Sequence, residues 1–368
     1  MNVMHLLATA GTGGIESLCK DYSHYSYNNN IFVVLWEKNG ASANSIKQDG
    51  GVIIELDSKK KDALKVFQKL TKIIKFYSID VIVVHHASPV LHIYMQLLKN
   101  RYHNLRTVAY AHGVAEVMCR NNDPKGLIIR KKVLRTSLKR STKVIAISND
   151  VKKSLIDYFC IPEGQISVIY NGIDISRFTS SIQENFNDPV RLVYVGRLVK
   201  EKGVQSTLEV LSNLPKELKW TFDIIGDGSY RKELEEQVKA LGLKKQVDFI
   251  GNCENIPELL KEHDVFIHMP ECAEGFGITI IEAMAAGLLC ICREKGGIPE
   301  IITNGKDGIL VHSKEELTEV LSDILSRSEE YQVVKLRENA VIRAEDFDIK
   351  QFSKHLDSTM CNLNSFNR

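Results

Sequence analysis

Short apolar, β-branched runs punctuate the chain. Those at 3–8, 31–35, 52–56, 81–84, 107–111, 143–147 and 167–170 read as strands, as do those at 190–195, 220–225, 246–250, 265–268, 289–292 and 308–311. Between them, 60–77, 90–99, 127–140, 202–213, 230–241, 256–263, 277–286 and 314–327 carry apolar residues at helical spacing. Strand and helix in alternation predict parallel sheets covered on both faces. The series runs twice, without an internal sequence repeat. The break falls in the polar stretch 173–189, which closes on Pro189. Beyond 328 the chain reads as helical and charged, with Phe347, Phe352 and Leu356 as its apolar anchors. The expected division is 1–173, 174–345 and a final helical segment 346–368.

Composition narrows the class. The 368 residues are 44% apolar and 26% charged, which excludes a disordered chain, a fibre and a coiled coil. The longest mostly apolar run, 278–292, is broken by Glu282 and Gly287 and is too short to span a bilayer. The first residues lack a cationic leader region and read as a buried strand entering a Gly-rich turn. The 8 cysteines are scattered without a C-x-x-C pair, as expected of reduced thiols in the cytoplasm. The formal charge of +2 suits no dedicated nucleic-acid binder, and no nucleic-acid motif is present.

Three clusters carry candidate chemistry. The first comprises two Gly-rich loops, 11–16 and 226–231, which approach a dinucleotide fingerprint. Each fails at its third glycine, where Glu16 and Arg231 stand, and no GKS/T phosphate loop exists. Gly13 and Gly14 still mark a strand-to-helix turn where backbone N–H groups could approach a phosphate or sugar; a simple tight turn explains them as well. In the second cluster, 195–203, Arg197 and Lys202 follow a strand and precede a helix. That place suits a diphosphate, and two solvated cations are the alternative. The third cluster, 270–287, sets Glu274 in a glycine-bearing loop and Glu282 on the helix after it. Glu282 is expected to face inward among Ile280, Ile281, Met284 and Ala285, where a carboxylate needs hydroxyl donors such as those of a ribose or sugar.

These residues, with NGID at 171–174, IIGDG at 224–228, FIG at 249–251, GGIPEI at 296–301 and DGILV at 307–311, resemble the nucleotide-sugar glycosyltransferases of family 4. The motifs stand in the family's order and cover the second half. The first half matches more loosely, through Gly13-Gly14 and His112-Gly113. The resemblance implies an α/β GT-B fold: two Rossmann-like, doubly wound domains facing a central cleft, with a last helix returning to the first domain. It implies that Arg197 and Lys202 hold the donor diphosphate, that Glu282 accepts from the ribose and that Glu274 contacts the hexose. By the same resemblance, the backbone of Gly275, Phe276, Gly277, Ile278 and Thr279 meets sugar and phosphate, and Asn252 and Cys253 edge the base. Gly13 and Gly14 then lie by the diphosphate, and His112 close to the transferred sugar, so that His112, Glu274, Arg197 and Lys202 are the catalytic set. One departure is Glu271, where the family commonly has serine. The pair His85-His86 occupies a strand end like that of His112, without a family motif.

The activity implied is retaining transfer of a hexose from a nucleotide diphosphate sugar, UDP-linked by preference, to a hydroxyl of a saccharide acceptor. No metal or other cofactor is expected, and Asp346-Phe347-Asp348 reads as a solvated or capping segment rather than a metal site. A non-catalytic GT-B subunit of a transferase complex and a nucleotide-sugar epimerase stay open as alternatives. Charge adds one element. Residues 1–174 hold 24 Lys+Arg against 14 Asp+Glu, and residues 175–368 hold 24 against 32, so +2 conceals +10 and −8. Much of the excess lies in Lys59-Lys60-Lys61 and in 130–143, where Ile128, Ile129, Val133, Leu134 and Leu138 interleave with cations. That pattern fits a helix on an anionic membrane surface, here the inner face of the cell membrane, and a lipid-linked acceptor in capsule, exopolysaccharide or lipopolysaccharide synthesis. It fits equally a core-facing helix with a solvated cationic face.

Overall fold

The structure, a computed structural model, describes residues 1–363 except 12, 38, 60, 61, 86, 120–122, 179–181, 183, 184, 254 and 327–329. Lys60, Lys61 and His86 therefore lie outside the described residues. The chain forms two compact units, one of Met1–Gly172 with Ile349–Arg368, the other of Ile173–Asp348.

The first unit holds seven parallel strands: β1 (Asn2–Leu7), β2 (Asn29–Val34), β3 (Val52–Glu55), β4 (Val81–Val84), β5 (Arg106–Ala111), β6 (Lys143–Ala146) and β7 (Ile166–Val168). They lie in the order β3-β2-β1-β4-β5-β6-β7. β4 is buried at every position, as a parallel strand covered on both faces must be. The order reverses between β1 and β4, which makes that gap the switch point where ligands enter doubly wound sheets. The returning helix Ile349–Cys361 is fixed by Asp357, a fully buried carboxylate. It accepts from the Tyr22 hydroxyl, from Ser26 Oγ at 2.9 Å, from the Tyr27 amide at 2.9 Å and from Asn28 Nδ2 at 2.8 Å.

The second unit holds β8 (Val190–Val195), β9 (Trp220–Ile225), β10 (Val247–Gly251), β11 (Val265–His268), β12 (Leu289–Arg293) and β13 (Ile309–Val311), ordered β10-β9-β8-β11-β12-β13. Its switch point lies between β8 and β11. Edge strand β10 alternates buried and exposed positions, with Asp248 and Ile250 outward, whereas central β11 is buried throughout.

Helix boundaries follow local chemistry. The cationic helix starts at Pro124, three residues before the expected 127, because Asp123 caps it by accepting from the amides of Lys125 and Gly126. Helices Ala41–Gln48 and Asn149–Phe159 were not expected; Ser148 caps the second. The helix expected from 202 begins at Val204 instead: Gly203, at φ +74°, interrupts it, and Lys202 sits in the preceding 3-10 turn.

Candidate functional site

In the second unit, two loops meet at the carboxyl ends of neighbouring strands: 196–203 after β8 and 269–277 after β11. Gly203 is what lets them touch. A Cβ there would lie 1.7 Å from the Met269 carbonyl oxygen, so only glycine fits, in both space and backbone conformation. Lys202 is thereby delivered to Glu274: Nζ donates to Oε2 at 2.6 Å. His268, the last residue of β11, donates from Nε2 to the same oxygen at 3.1 Å. A third loop braces the Glu274 backbone. The Gly297 amide donates to the Glu274 carbonyl at 2.8 Å, and a Cβ on Gly296 would strike that carbonyl oxygen at 2.3 Å. The GGIPEI motif thus acts as a support under Glu274.

The electrostatics follow from this packing. Burial alone would raise the Glu274 carboxyl, but Lys202 and the His268 N–H outweigh it and hold the group well below the usual carboxylate range. Burial lowers His268 against the pull of Glu274, which leaves a neutral imidazole donating through Nε2. Glu274 and Lys202 keep 16% and 23% of their side-chain surfaces, so the pair is sheltered yet reachable.

Other expected residues are distributed as follows. Arg197 lies exposed on the Lys202 loop. Gly275, Gly277, Ile278 and Thr279 are half-buried along the same turn, while the Phe276 side chain is buried against Phe347, ring centroids 5.6 Å apart. Asn252 is exposed and Cys253 half-buried, both beyond β10 on the far side of β9. Glu282 corrects the expectation of an inward carboxylate. On helix Ile278–Ala285, residues 280, 281, 283, 284 and 285 are buried, whereas 278, 279 and 282 share the half-exposed stripe that opens from the Glu274 turn. Of the residues expected around Glu282, Ile280, Ile281 and Met284 lie on other faces of the helix, while Ala285, three residues on, flanks it.

In the first unit, Gly13 caps helix Gly14–Tyr25 and Gly14 begins it, following β1. Glu16 packs against the turn: a Cβ on Gly13 would lie 2.5 Å from its Oε2. His112 follows β5 and lies 3.2 Å from His85, Nε2 to Nδ1. Sequence reasoning missed His268 and His5. Each sits on a strand among apolar residues, and the only available signal was a polar residue inside an otherwise buried run.

The two doubly wound sheets, ordered 3-2-1-4-5-6-7 in the first unit and 3-2-1-4-5-6 in the second when strands are counted within each, are those of the GT-B fold. The model for "Glycosyl transferases group 1" matches residues 176–345 and that for "Glycosyltransferase Family 4" matches 12–177. The chain belongs to this glycosyltransferase family. It is similar to an uncharacterised glycosyltransferase of Methanocaldococcus jannaschii, 32% identical over 187 residues, 47% of this chain and 48% of that one. It also resembles the UDP-Gal:alpha-D-GlcNAc-diphosphoundecaprenol alpha-1,3-galactosyltransferase of Escherichia coli, 29% identical over 189 residues, 47% of this chain and 48% of that one. The chain thus spans about half the length of these curated relatives. Among solved structures, Anabaena HepE in complex with UDP-glucose matches over 98% of this chain and 100% of its own, with a TM-score of 0.84 at 21% identity, a likeness of fold.

Proposed function

We propose that this protein transfers a hexose from a nucleotide diphosphate sugar, UDP-linked, to a hydroxyl of a lipid-linked saccharide with retention of configuration and without a metal. The observation that carries this reading is the Lys202–Glu274–His268 constellation at the β8/β11 switch point. Transfer breaks the bond from the anomeric carbon to the diphosphate oxygen and forms one to the acceptor oxygen. The acceptor proton leaves with the diphosphate. Arg197, Lys202 and the backbone N–H groups at the start of helix Ile278–Ala285 stabilise the charge growing on the leaving group. The Glu274 carboxylate, anionic at neutral pH, accepts from hexose hydroxyls, and Glu282, on the half-exposed stripe, accepts from the ribose. His112 lies by the transferred sugar.

The lipid-linked acceptor rests on two supports. The relative from Escherichia coli is named for a diphosphoundecaprenol-linked substrate. Helix Pro124–Arg140 presents Lys125, Ile128, Ile129, Lys132, Arg135, Lys139 and Arg140 on one exposed stripe, at i, i+3, i+4 and i+7 spacing. Ile128 and Ile129 stand 67% and 64% exposed among those cations, an arrangement suited to an anionic bilayer surface and the inner face of the cell membrane. No helix among the described residues is long and apolar enough to cross a membrane.

The test uses the purified chain with labelled UDP-glucose, UDP-galactose and UDP-N-acetylglucosamine and a polyprenyl diphosphate-linked saccharide, with EDTA present. Label moving to the lipid phase with release of UDP supports the reading. Label remaining on the nucleotide, epimerised or unchanged, with no donor raising the melting temperature, overturns it.

A further inference from the structure

Strand register in the first unit lines up four polar side chains across one face of the sheet. His5 of β1 pairs with Phe32 of β2 and with Val83 of β4, and Val84 pairs with Ala109 of β5. Asn30 lies two residues before Phe32, His85 two after Val83 and His112 three after Ala109. In a pleated sheet a two-residue offset keeps the same face, so Asn30, His5 and His85 form a diagonal row. His112, just beyond the end of β5, continues it. The distances close a chain: Asn30 Oδ1 to His5 Nε2 is 3.0 Å, His5 Nδ1 to His85 Nε2 is 2.9 Å, and His85 Nδ1 to His112 Nε2 is 3.2 Å. His5 and His85 are 0% and 2% exposed; His112 is half-buried. The rings are also packed: His5 stacks on Phe32 at 4.7 Å, and Tyr110 lies 4.3 Å from His112.

A neutral imidazole has one donor and one acceptor nitrogen, so each link fixes the next. The Asn30 carbonyl can only accept, so His5 carries its proton on Nε2 and accepts at Nδ1. His85 must then donate from Nε2 and accept at Nδ1, and His112 must donate from Nε2. Burial lowers His5 to about 4, so the inner end stays neutral. The chain ends on an amide, which takes up no proton, and its inner rings are shut from water. It is therefore a positioning device rather than a path for proton exit.

We propose that His85 and His5 are positioning residues that hold His112 in one orientation as its Nε2–H tautomer, with Nδ1 the accepting nitrogen. This rests on the reading of His112 as the residue beside the transferred sugar.

The experiment is independent of turnover. Long-range proton–nitrogen correlation spectra of the full chain, labelled at histidine, separate protonated from unprotonated ring nitrogens; His112→Gln assigns the His112 signals. We expect a single Nε2–H tautomer for His112 in the unaltered protein and a mixture of both tautomers in His85→Phe. His5→Phe keeps the stacking on Phe32 and should release the tautomer two rings away. His85→Asn, whose amide reaches the place of Nδ1, should restore a single form. An Nδ1–H tautomer in the unaltered protein overturns the proposal, whichever variants fold, as does a His112 pattern unmoved by His85→Phe and His5→Phe. Loss of UDP-sugar binding with the tautomer as expected would instead count against the transferase reading alone.

Discussion

Lys202→Met isolates the energetic role of the pair at the second switch point. Methionine keeps much of the apolar stem and removes only the cation. Glu274 would then keep the His268 bond at 3.1 Å but lose the ammonium at 2.6 Å, with 84% of its side chain out of water. Removing one partner of a buried pair costs about 3–5 kcal/mol; the remaining bond and the residual exposure place this case at about 2–3 kcal/mol. For a unit of this size that lowers the melting temperature by about 4–12 °C. Two tryptophans make the assay specific, since Trp36 belongs to the first unit and Trp220, 4% exposed, to the second. With Trp36→Phe as the background, urea titration followed by fluorescence reports the second unit alone.

The pH dependence discriminates the cause. The Glu274 carboxyl is held below its ordinary 4.5, so its contribution is present above 4.5 and is lost as pH falls toward the folded value. In Lys202→Met, burial without the cation raises the carboxyl and the advantage vanishes. The stability gap between the two proteins should therefore be full at pH 8 and shrink steadily toward pH 4. The double variant Lys202→Met/Glu274→Gln should recover most of the loss at pH 8, because no charge is left buried alone. A gap that stays constant with pH, or a double variant no better than the single, would refute the electrostatic account in favour of lost stem packing.

Other outcomes follow from the same geometry. Glu282→Ala should keep the melting temperature within about 1 °C, because the side chain is half-exposed, and, under the proposed ribose role, reduce donor turnover by about 10²-fold or more, read as UDP release. Gly203→Ala should cost more than about 3 kcal/mol in urea titration and abolish turnover, since the new methyl meets the Met269 carbonyl at 1.7 Å in a left-handed conformation. Asp357→Ala should destabilise the first unit by about 1–3 kcal/mol for each buried donor it strands, Asn28 and Tyr27 among them, followed through Trp36 in a Trp220→Phe background. Ile128→Asp/Ile129→Asp should reduce flotation with anionic vesicles and leave stability unchanged; equal recovery on neutral and anionic vesicles would remove the membrane argument.

The strands were legible because a parallel sheet needs apolar residues on both faces, and runs such as 81–84 and 265–268 admit little else. Helix Ala41–Gln48 escaped because only Ala43 and Ile46 supply apolar burial, below what a periodic pattern shows. Glu282 was misread because the burial of Ile280, Ile281, Ala283 and Met284 does not extend around the helix to it: Glu282 shares a half-exposed stripe with Ile278 and Thr279, one turn earlier. Lys202 and Glu274 were each singled out, but their union across 72 residues was not visible. It exists because β8 and β11 are adjacent, a fact of strand order rather than spacing. The same holds for His5, His85 and His112, whose alignment depends on register.

Strand order also resolves the charge paradox of the second half. A segment with a net charge of −8 is an unpromising host for a diphosphate if charge is averaged over its surface. Fields from exposed charges fade beyond about 10 Å at ordinary ionic strength, so local arrangement decides. On the β8 loop three cations, Arg197, Lys200 and Lys202, stand against one acid, Glu201, and Glu274 of the adjoining loop is engaged by Lys202 and His268. Glu271, the departure from the family's serine, is likewise turned away: Ser206 Oγ donates to it at 2.6 Å and Arg293 lies 3.4 Å from its other oxygen. The β8 loop thus keeps a net positive balance inside an acidic half, as the proposed anionic donor requires. Under the proposed function, this local balance and the engagement of Glu274 and Glu271, rather than the total charge, suit the loop to a diphosphate.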